Sequence, residues 1–185
     1  MQMTVQALVA SDLDLGALAQ LRSEAWREKY PSYAVHVDDW TDHYEETSDH
    51  FAAIIGDEIV GAARLSYVTQ PEHNDQFAHL PGFYEFIKGR RPPLAVFSRL
   101  VVRPAYRGKG VARALDLKRL DVAHAKEIST GLILVHAGSR RFAAVQDLGF
   151  KMIPGAENFS GKPFKHARFS GPGASQSGSA LYVTL

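Results

Sequence analysis

The sequence predicts an α/β protein that forms one domain over residues 1–185. Apolar runs of strand length, rich in Val, Ile and Leu, alternate along the chain with stretches whose apolar residues recur at helical spacing. A length of 185 residues suits one domain with a full core. An apolar content of 45% is typical of a globular protein rather than a disordered one.

Composition and charge exclude several classes of partner and site. The formal net charge is +1 and no long basic run is present, so we expect no nucleic-acid partner. The chain has no cysteine, which excludes disulfides and thiolate metal sites, and no metal cofactor is predicted. No apolar run reaches the ~20 residues that span a bilayer, and no secretory signal is visible. We therefore expect a cytoplasmic protein with no membrane partner.

The first elements in the chain are a strand over residues 4–9 and a helix. That helix is expected to begin at a cap, Ser11 or Asp12, and to end near Tyr30. Trp26 and Arg22 share one of its faces, which predicts core packing for Trp26 and an exposed charge at Arg22.

The next segment, residues 31–50, is acidic and contains interleaved aromatic residues. We interpret it as a solvated second helix preceded by a mobile loop. An alternative is a lid whose negative field attracts a cation. Two apolar runs separated by Gly56-Asp57 then predict a β-hairpin over residues 51–65.

A long insertion over residues 66–93 follows the hairpin, with a short helix expected from Phe83 to Lys88. Insertions of this length are often functional. Its aromatic residues are expected to pack together, and lining of a pocket is the alternative; they are Phe77, Phe83, Tyr84 and Phe86.

The centre of the chain has the pattern of an anion site. An apolar, β-branched run from Leu94 is stopped by Pro104, and a glycine turn then leads into a helix that ends near Lys126. The first N–H groups of a helix have no internal acceptor and carry partial positive charge. Gly108 and Gly110 let an anion approach the backbone, with Arg107 and Lys109 adding charge. The predicted ligand is a phosphate or pyrophosphate.

The remaining elements continue the alternation. Residues 131–136 form a buried strand, Ser139 caps a helix over 140–148 that Gly149 ends, and a sixth strand starts at Phe150. Residues 154–180 are predicted to be a flexible excursion, and residues 180–185 form the closing strand. The excursion carries a cationic cluster of Lys162, Lys165, His166 and Arg168.

Two common phosphate-binding motifs do not fit the glycine turn. Gly110 stands where a P-loop has Ser or Thr, and Arg113 stands where the dinucleotide fingerprint has Gly or Ala. The segment Arg107-Gly108-Lys109-Gly110-Val111-Ala112 resembles instead the Gln/Arg-x-x-Gly-x-Gly/Ala signature of the GNAT N-acyltransferase superfamily. Leu100-Val101-Val102-Arg103-Pro104 and Leu148-Gly149-Phe150 resemble two further segments of that family.

The resemblance implies a fold and a co-substrate. The fold is a mixed, mostly antiparallel sheet of about seven strands flanked by about four helices, with a V-shaped split between the fourth and fifth strands. The co-substrate is acetyl-CoA or another acyl-CoA, held by backbone N–H groups of residues 108–113 and by a bulge in the central strand. The implied cofactor-binding residues are Leu100, Val101, Val102, Arg107, Gly108, Lys109, Gly110, Val111, Ala112, Arg113 and Arg140.

The groups that handle protons are less well defined. Many members of the family have a Tyr four residues before the Gly of Leu-Gly-Phe, and this chain has Val145 there. His136, at the end of its strand, is the best-placed base, and a purely structural histidine is the alternative. Ser98, Ser139 and Tyr106 are further candidates for a catalytic role.

The resemblance predicts an N-acyltransferase acting on the amine of a small-molecule acceptor, and it leaves a homodimer open. Two alternatives remain. Residues 98–102 and 61–65, with Arg22 and Trp26, also resemble the acyl-homoserine-lactone synthase and N-acyl amino acid synthase branch of the fold, whose donor is acyl carrier protein. That branch usually has a Glu where this chain has Val96. The other alternative is a catalytically silent CoA-binding sensor.

Overall fold

A computed structural model describes residues 3–8, 15–29, 42–157 and 178–185. The strands are β1 (Met3–Leu8), β2 (Asp49–Ile55), β3 (Glu58–Val68), β4 (Leu94–Val102), β5 (Thr130–His136), β6 (Lys151–Met152) and β7 (Gly178–Thr184). The α-helices are α1 (Leu15–Lys29), α2 (Phe83–Ile87), α3 (Val111–Ala125) and α4 (Arg140–Gln146). The described residues thus form an α/β protein with a seven-stranded sheet, which confirms the predicted fold class.

The chain divides into two compact units, and β4 contributes to both. The first unit comprises Met1–Ser66 and Phe97–Val122, and its strands follow the order β1-β2-β3-β4. The second unit comprises Tyr67–Val96 and Ala123–Leu185, with the order β4-β5-β7-β6. The antiparallel pairs are β1 with β2, β2 with β3, β5 with β7 and β6 with β7.

The predicted hairpin is present in the first unit. Ile55 of β2 lies opposite Glu58 of β3, with Gly56-Asp57 as the turn between them. One face of this unit packs against α1 through an apolar cluster, because Leu18, Leu21 and Ala25 recur at helical spacing. The other buried members of the cluster are Ala62 and Val101, with Trp26 and Ile59 packed beside them.

The second unit has an aromatic core to which the long insertion contributes. Phe77 and Phe83 are buried, and their ring centroids lie 5.5 Å apart. The cluster also contains Leu80, Leu94, Val96, Leu132, Ile153 and Ala180. Of the four insertion residues that were expected to pack together, Phe77, Phe83 and Phe86 pack on this core, as predicted, whereas Tyr84 is exposed.

Two interpretations of the N-terminal half are wrong. Arg22 is buried rather than exposed, because Glu45 supplies an ion-pair partner. Residues 43–47 form turns rather than a helix, and Glu45 is buried rather than solvated. The expected caps Ser11 and Asp12, the rest of the expected loop and the cationic cluster over 162–168 lie outside the described residues.

Within the residues that the structure describes, no helix is both long and apolar enough to cross a membrane. Within the same residues, no group of three or more His, Asp or Glu side chains is arranged to hold a metal ion.

Candidate functional site

The glycine turn after β4 is open and leads directly into a long helix. Pro104–Tyr106 form one 3₁₀ turn, Gly108 and Gly110 have φ angles of +76° and +81°, and α3 begins at Val111. These left-handed conformations favour glycine. Apart from the adjacent residues in the chain, no described residue has an atom within 4 Å of the position a Cβ would take at either glycine. The backbone at this turn is therefore accessible to a ligand.

The first turn of α3 presents backbone donors at this opening. The first bond inside the helix joins the Ala114 N–H to the Gly110 carbonyl oxygen at 3.0 Å. The N–H groups of Val111, Ala112 and Arg113 therefore have no acceptor within the helix, and the helix dipole adds partial positive charge. The arrangement suits a phosphate or another anion.

The charged side chains of the turn make contacts within the protein. The Arg107 guanidinium donates from Nε to the Val102 carbonyl at 3.2 Å and from a terminal nitrogen to the Ala25 carbonyl at 3.3 Å. The Lys109 ammonium lies 5.1 Å from the centre of the Tyr106 ring. Arg107 thus ties the turn to the end of β4 and to α1, a role that the sequence did not predict.

Tyr106 belongs to the support of the turn. Its hydroxyl donates to Glu58 Oε2 at 2.7 Å, and this hydrogen bond raises the pKa of Tyr106.

The implied cofactor-binding residues outside the glycine turn differ in their exposure. Val101, Val102 and Val111 are buried. Leu100 and Ala112 are partly buried, and Arg113 and Arg140 are exposed.

The middle of β4 departs from regular strand geometry. Ser98, Arg99 and Leu100 are partly exposed in a strand that is otherwise buried. Arg99 has a φ of +55°, which is uncommon for a residue with a side chain. A single left-handed residue in a strand is typical of a β-bulge. The irregularity lies immediately before Leu100–Val102, where the resemblance implies a bulge.

A buried network of ion pairs lies beside this irregularity, within the first unit. Glu45 Oε1 accepts from Arg22 at 3.0 Å and from Arg64 at 2.6 Å. Asp42 accepts from Arg64 at 2.6 and 3.1 Å and from Arg99 at 2.7 Å. The network joins residues from α1, β3, β4 and the turns before β2.

Burial and charge set the ionisation of this network. Burial alone would raise the pKa of Asp42, but the hydrogen bonds and charges of Arg64 and Arg99 outweigh it and hold that pKa well below its ordinary value. Burial lowers the pKa of Arg22, and Glu45 opposes that change. The two carboxylates are paired with arginines, so they do not supply the negative field that the lid interpretation required.

Arg119 of α3 is buried and forms a second set of arginine contacts, which the sequence did not predict. One of its terminal nitrogens donates to the Arg64 carbonyl at 3.1 Å and to the Ser98 carbonyl at 3.2 Å. Its other terminal nitrogen donates to Asp116, which is also buried. The signal in the sequence was an Asp and an Arg three residues apart on one helix, a spacing that surface pairs share.

Besides Tyr106, three catalytic candidates remain, and they lie in different surroundings. Ser98 belongs to the first unit, and its hydroxyl accepts from Arg64 Nε at 3.2 Å. His136 and Ser139 belong to the second unit. His136 is partly buried at the end of β5, opposite Gly178 of β7. Ser139 caps α4, and its hydroxyl oxygen accepts the Phe142 N–H at 3.1 Å.

The residue at the family's tyrosine position belongs to the core. Val145 is fully buried in α4, and its carbonyl accepts from Leu148 and Phe150. A valine can neither donate nor accept a proton, so the proton transfers require another group.

A model of the acetyltransferase (GNAT) family matches residues 15–150, which include the glycine turn and α4. The chain belongs to the GNAT acetyltransferase family. The family assigns it to the acyl-transferring enzymes and confirms the resemblance drawn from the glycine motif. No curated protein matches the sequence of this GNAT protein significantly.

Three solved structures share the fold of this GNAT protein. FeeM, an N-acyl amino acid synthase from uncultured soil microbes, has a TM-score of 0.67 and 15% identity, with 99% of this chain and 91% of that chain covered. The PaiA N-acetyltransferase from Thermoplasma acidophilum in complex with coenzyme A has a TM-score of 0.61 and 16% identity, with 100% of both chains covered. A GNAT family acetyltransferase from Elizabethkingia anophelis with acetyl-CoA bound has a TM-score of 0.59 and 14% identity, with 99% and 98% covered.

Proposed function

We propose that this GNAT protein transfers an acetyl or other short acyl group from acyl-CoA directly to the amine of a small molecule. The observation that carries the proposal is the open glycine turn at the start of α3. Its two left-handed glycines leave room at the backbone, and the N–H groups of Val111 to Arg113 precede the first helical bond. Two proteins of the same fold have been crystallised with coenzyme A or acetyl-CoA.

The proposed roles of the chain follow from this geometry. The turn and the first N–H groups of α3 bind the pyrophosphate of the donor. The backbone of the partly exposed residues Ser98–Leu100 pairs with the extended arm of the donor, as an added strand would. A backbone N–H at this irregularity polarises the thioester carbonyl.

The transfer itself exchanges one bond for another. The nitrogen of a neutral amine attacks the thioester carbonyl carbon, the new C–N bond forms, and the C–S bond breaks. The nitrogen loses a proton and the sulfur leaves as a thiolate that must gain one. His136 is the proposed proton acceptor, because an imidazole titrates near neutral pH.

A second candidate function uses the same reaction with acyl carrier protein as the donor. The observation in its favour is the buried network, in which Arg22, Arg64 and Arg99 come together through Asp42 and Glu45. These three arginines belong to the segments that resemble the acyl-homoserine-lactone and N-acyl amino acid synthases. The convergence of these arginines supports acyl carrier protein as the donor, whereas the complete glycine turn supports acyl-CoA as the donor.

The test is calorimetric titration of the protein with acetyl-CoA, using two matched glycine variants. Gly108→Glu introduces a carboxylate at the proposed phosphate site. Gly89→Glu is the control, because Gly89 also has a φ of +76° and, apart from its chain neighbours, no described residue within 4 Å of its Cβ position. Both substitutions impose the same backbone strain. We expect Gly108→Glu to weaken binding by at least about tenfold, or 1.4 kcal/mol, and Gly89→Glu to leave it unchanged.

The outcomes separate the candidates. Equal affinity in both variants would contradict binding of the phosphates at the glycine turn. If the unmodified protein does not bind acetyl-CoA but transfers acyl groups from acyl carrier protein, the second candidate is correct. Turnover with any amine excludes a catalytically silent sensor.

A further inference from the structure

The left-handed conformation of Arg99 has to be maintained by its surroundings. A residue with a side chain is strained at a φ of +55°, and such strain persists only where neighbouring contacts compensate for it. The side chain of Arg99 makes one such contact, a hydrogen bond to Asp42 at 2.7 Å. Asp42 lies in the turns before β2, so this contact alone does not fix the strand from within the sheet.

The residue before Arg99 is held at two points by arginines. The Ser98 hydroxyl accepts from Arg64 Nε at 3.2 Å, and the Ser98 carbonyl accepts from Arg119 at 3.2 Å. The same Arg119 nitrogen reaches the Arg64 carbonyl of β3 at 3.1 Å. One guanidinium from α3 therefore connects the backbones of β3 and β4 at the point where β4 becomes irregular.

Arg119 satisfies two carbonyl groups with a buried charged side chain, and burying that charge costs desolvation free energy. Arg119 is fully buried, and its charge is balanced by Asp116 one helical turn earlier. The guanidinium carbon also lies 4.9 Å from the centre of the ring of Phe97, which precedes Ser98 in β4. A regular ladder satisfies strand carbonyls with strand N–H groups and needs no buried ion pair.

We infer that Arg119 is a positioning residue, which holds the irregular backbone of β4 in the conformation that presents its N–H groups to the acyl donor. Its partner Asp116 fixes the guanidinium, and the guanidinium fixes the carbonyls of Arg64 and Ser98. The inference rests on the proposed function, because the donor of that reaction is what the backbone would contact. Arg119 itself touches no reacting atom.

Two variants remove the contact in different ways. Arg119→Lys keeps a positive charge opposite Asp116, but a single ammonium lacks the planar fork that reaches Asp116 and both carbonyls together. The double variant Asp116→Leu/Arg119→Met removes the whole ion pair and leaves no buried charge alone. The control Ile128→Ala creates a cavity at a buried residue that follows α3.

We expect the kcat of both Arg119 variants to fall by about tenfold or more, which is less than the about 10²–10³-fold loss on removal of one donor to a developing oxyanion, because the backbone donor is displaced rather than removed. The Kd for coenzyme A should change less than kcat does, because the glycine turn that binds the pyrophosphate is intact and only the contact of β4 with the extended arm is disturbed. Ile128→Ala should lower Tm and leave kcat unchanged well below that temperature. A kcat equal to that of the unmodified protein in both variants would overturn the inference.

Hydrogen exchange at the backbone amides of Ser98 to Val101, measured without any substrate, separates this inference from the proposed function. We expect exchange there to accelerate in Arg119→Lys and not in Ile128→Ala. Unchanged exchange overturns the inference even if the protein transfers acyl groups from CoA. Accelerated exchange in a protein that does not bind CoA supports the positioning of β4 by Arg119 and contradicts the proposed function.

Discussion

At the scale of single residues, His50 is a buried histidine whose ionisation couples the stability of the fold to pH. Its Nε2 lies 2.9 Å from the Glu45 carbonyl oxygen and 3.6 Å from Glu45 Oε2. Burial lowers the pKa of His50, the charges of Arg22 and Arg64 lower it further, and Glu45 opposes them. The neutral imidazole, donating from Nε2 to the carbonyl, is therefore the form that the fold stabilises.

The pH dependence follows from the sign of this shift. The folded-state pKa of His50 lies below the ordinary value of 6.5, so the unfolded chain takes up a proton first. The stabilisation is fully present above pH 6.5 and decreases as pH falls through that value towards the folded-state pKa. We expect His50→Gln to flatten the fall in the free energy of unfolding between pH 7.5 and 5, by up to about 1.4 kcal/mol per pH unit.

Urea unfolding at a series of pH values measures this effect, and His73→Gln provides the control. His73 is exposed and bonded only weakly, at 3.3 Å, to the side chain of Gln70. In His73→Gln, the free energy of unfolding should depend on pH with the same slope as in the unmodified protein. A His50→Gln variant with that same slope would show that His50 does not titrate differently in the folded and unfolded states.

Residue-level burial is where prediction from the sequence was weakest. The helical pattern correctly placed Leu18, Leu21 and Ala25 in the core of the first unit. It left Arg22 at the surface, because a charge is usually solvated and the pattern contains no information on a partner 23 residues away. The same long-range pairing buries Glu45 and partly buries Asp42, both of which a local pattern assigns to solvent.

At the scale of elements, the sequence predicted most of the structure, because the signals for these elements are local. The hairpin follows from Gly56-Asp57 between apolar runs, and α2 was expected to run from Phe83 to Lys88 and runs from Phe83 to Ile87. The helix expected before residue 50 is absent over 43–47. There the turns position Asp42 and Glu45 for arginines of other elements, which no local pattern encodes.

The start of α4 yields a prediction at this scale. The Ser139 hydroxyl oxygen accepts the Phe142 N–H at 3.1 Å, which satisfies a donor that the helix leaves unpaired. Ser139→Ala should lower the free energy of unfolding by about 1 kcal/mol, whereas Ser139→Asp should retain it, since a carboxylate also caps and interacts favourably with the dipole. Thermal unfolding of both variants measures the difference.

The activity of the same two variants decides whether Ser139 has a catalytic role. Neither variant has a hydroxyl, so a catalytic hydroxyl predicts an equal loss of kcat in both. A cap alone predicts that Ser139→Asp retains both stability and kcat. The bond to Phe142 leads us to expect the second result, which would leave His136, Ser98 and Tyr106 as the candidates for proton transfer.

At the scale of the whole chain, the features that carry the proposals are concentrated in the first unit. The glycine turn, the irregular stretch of β4 and the network of Arg22, Arg64 and Arg99 all belong to it. The glycine turn could be predicted, because its chemistry depends on a short run of adjacent residues. The arginine contacts could not, since they join residues as far apart as Asp42 and Arg99 in sequence.

The second unit shows how a long insertion is built into a core. Gly82 begins α2 with a φ of +72°, and a Cβ there would lie 2.0 Å from the Pro154 carbonyl oxygen. A Cβ atom does not approach a non-bonded heavy atom that closely, so a side chain at residue 82 must displace either the insertion or the turn after β6. Phe77 and Phe83, on either side of Gly82, are buried in the same aromatic core, so a displacement there disturbs the packing of the unit.

Gly82→Ala and Gly89→Ala form the matched pair that tests this packing. Both positions have similar positive φ angles, +72° and +76°, so both variants bear a backbone strain of roughly 1 kcal/mol. Of the two, Gly82→Ala adds the steric overlap, because in the described part of the chain no residue beyond its neighbours lies within 4 Å of the Cβ position at Gly89. We expect the free energy of unfolding in urea to fall by roughly 2 kcal/mol more for Gly82→Ala than for Gly89→Ala. Equal losses would mean that the insertion can move away from Pro154 at no cost, and that its aromatic residues rather than this backbone contact hold it in the second unit.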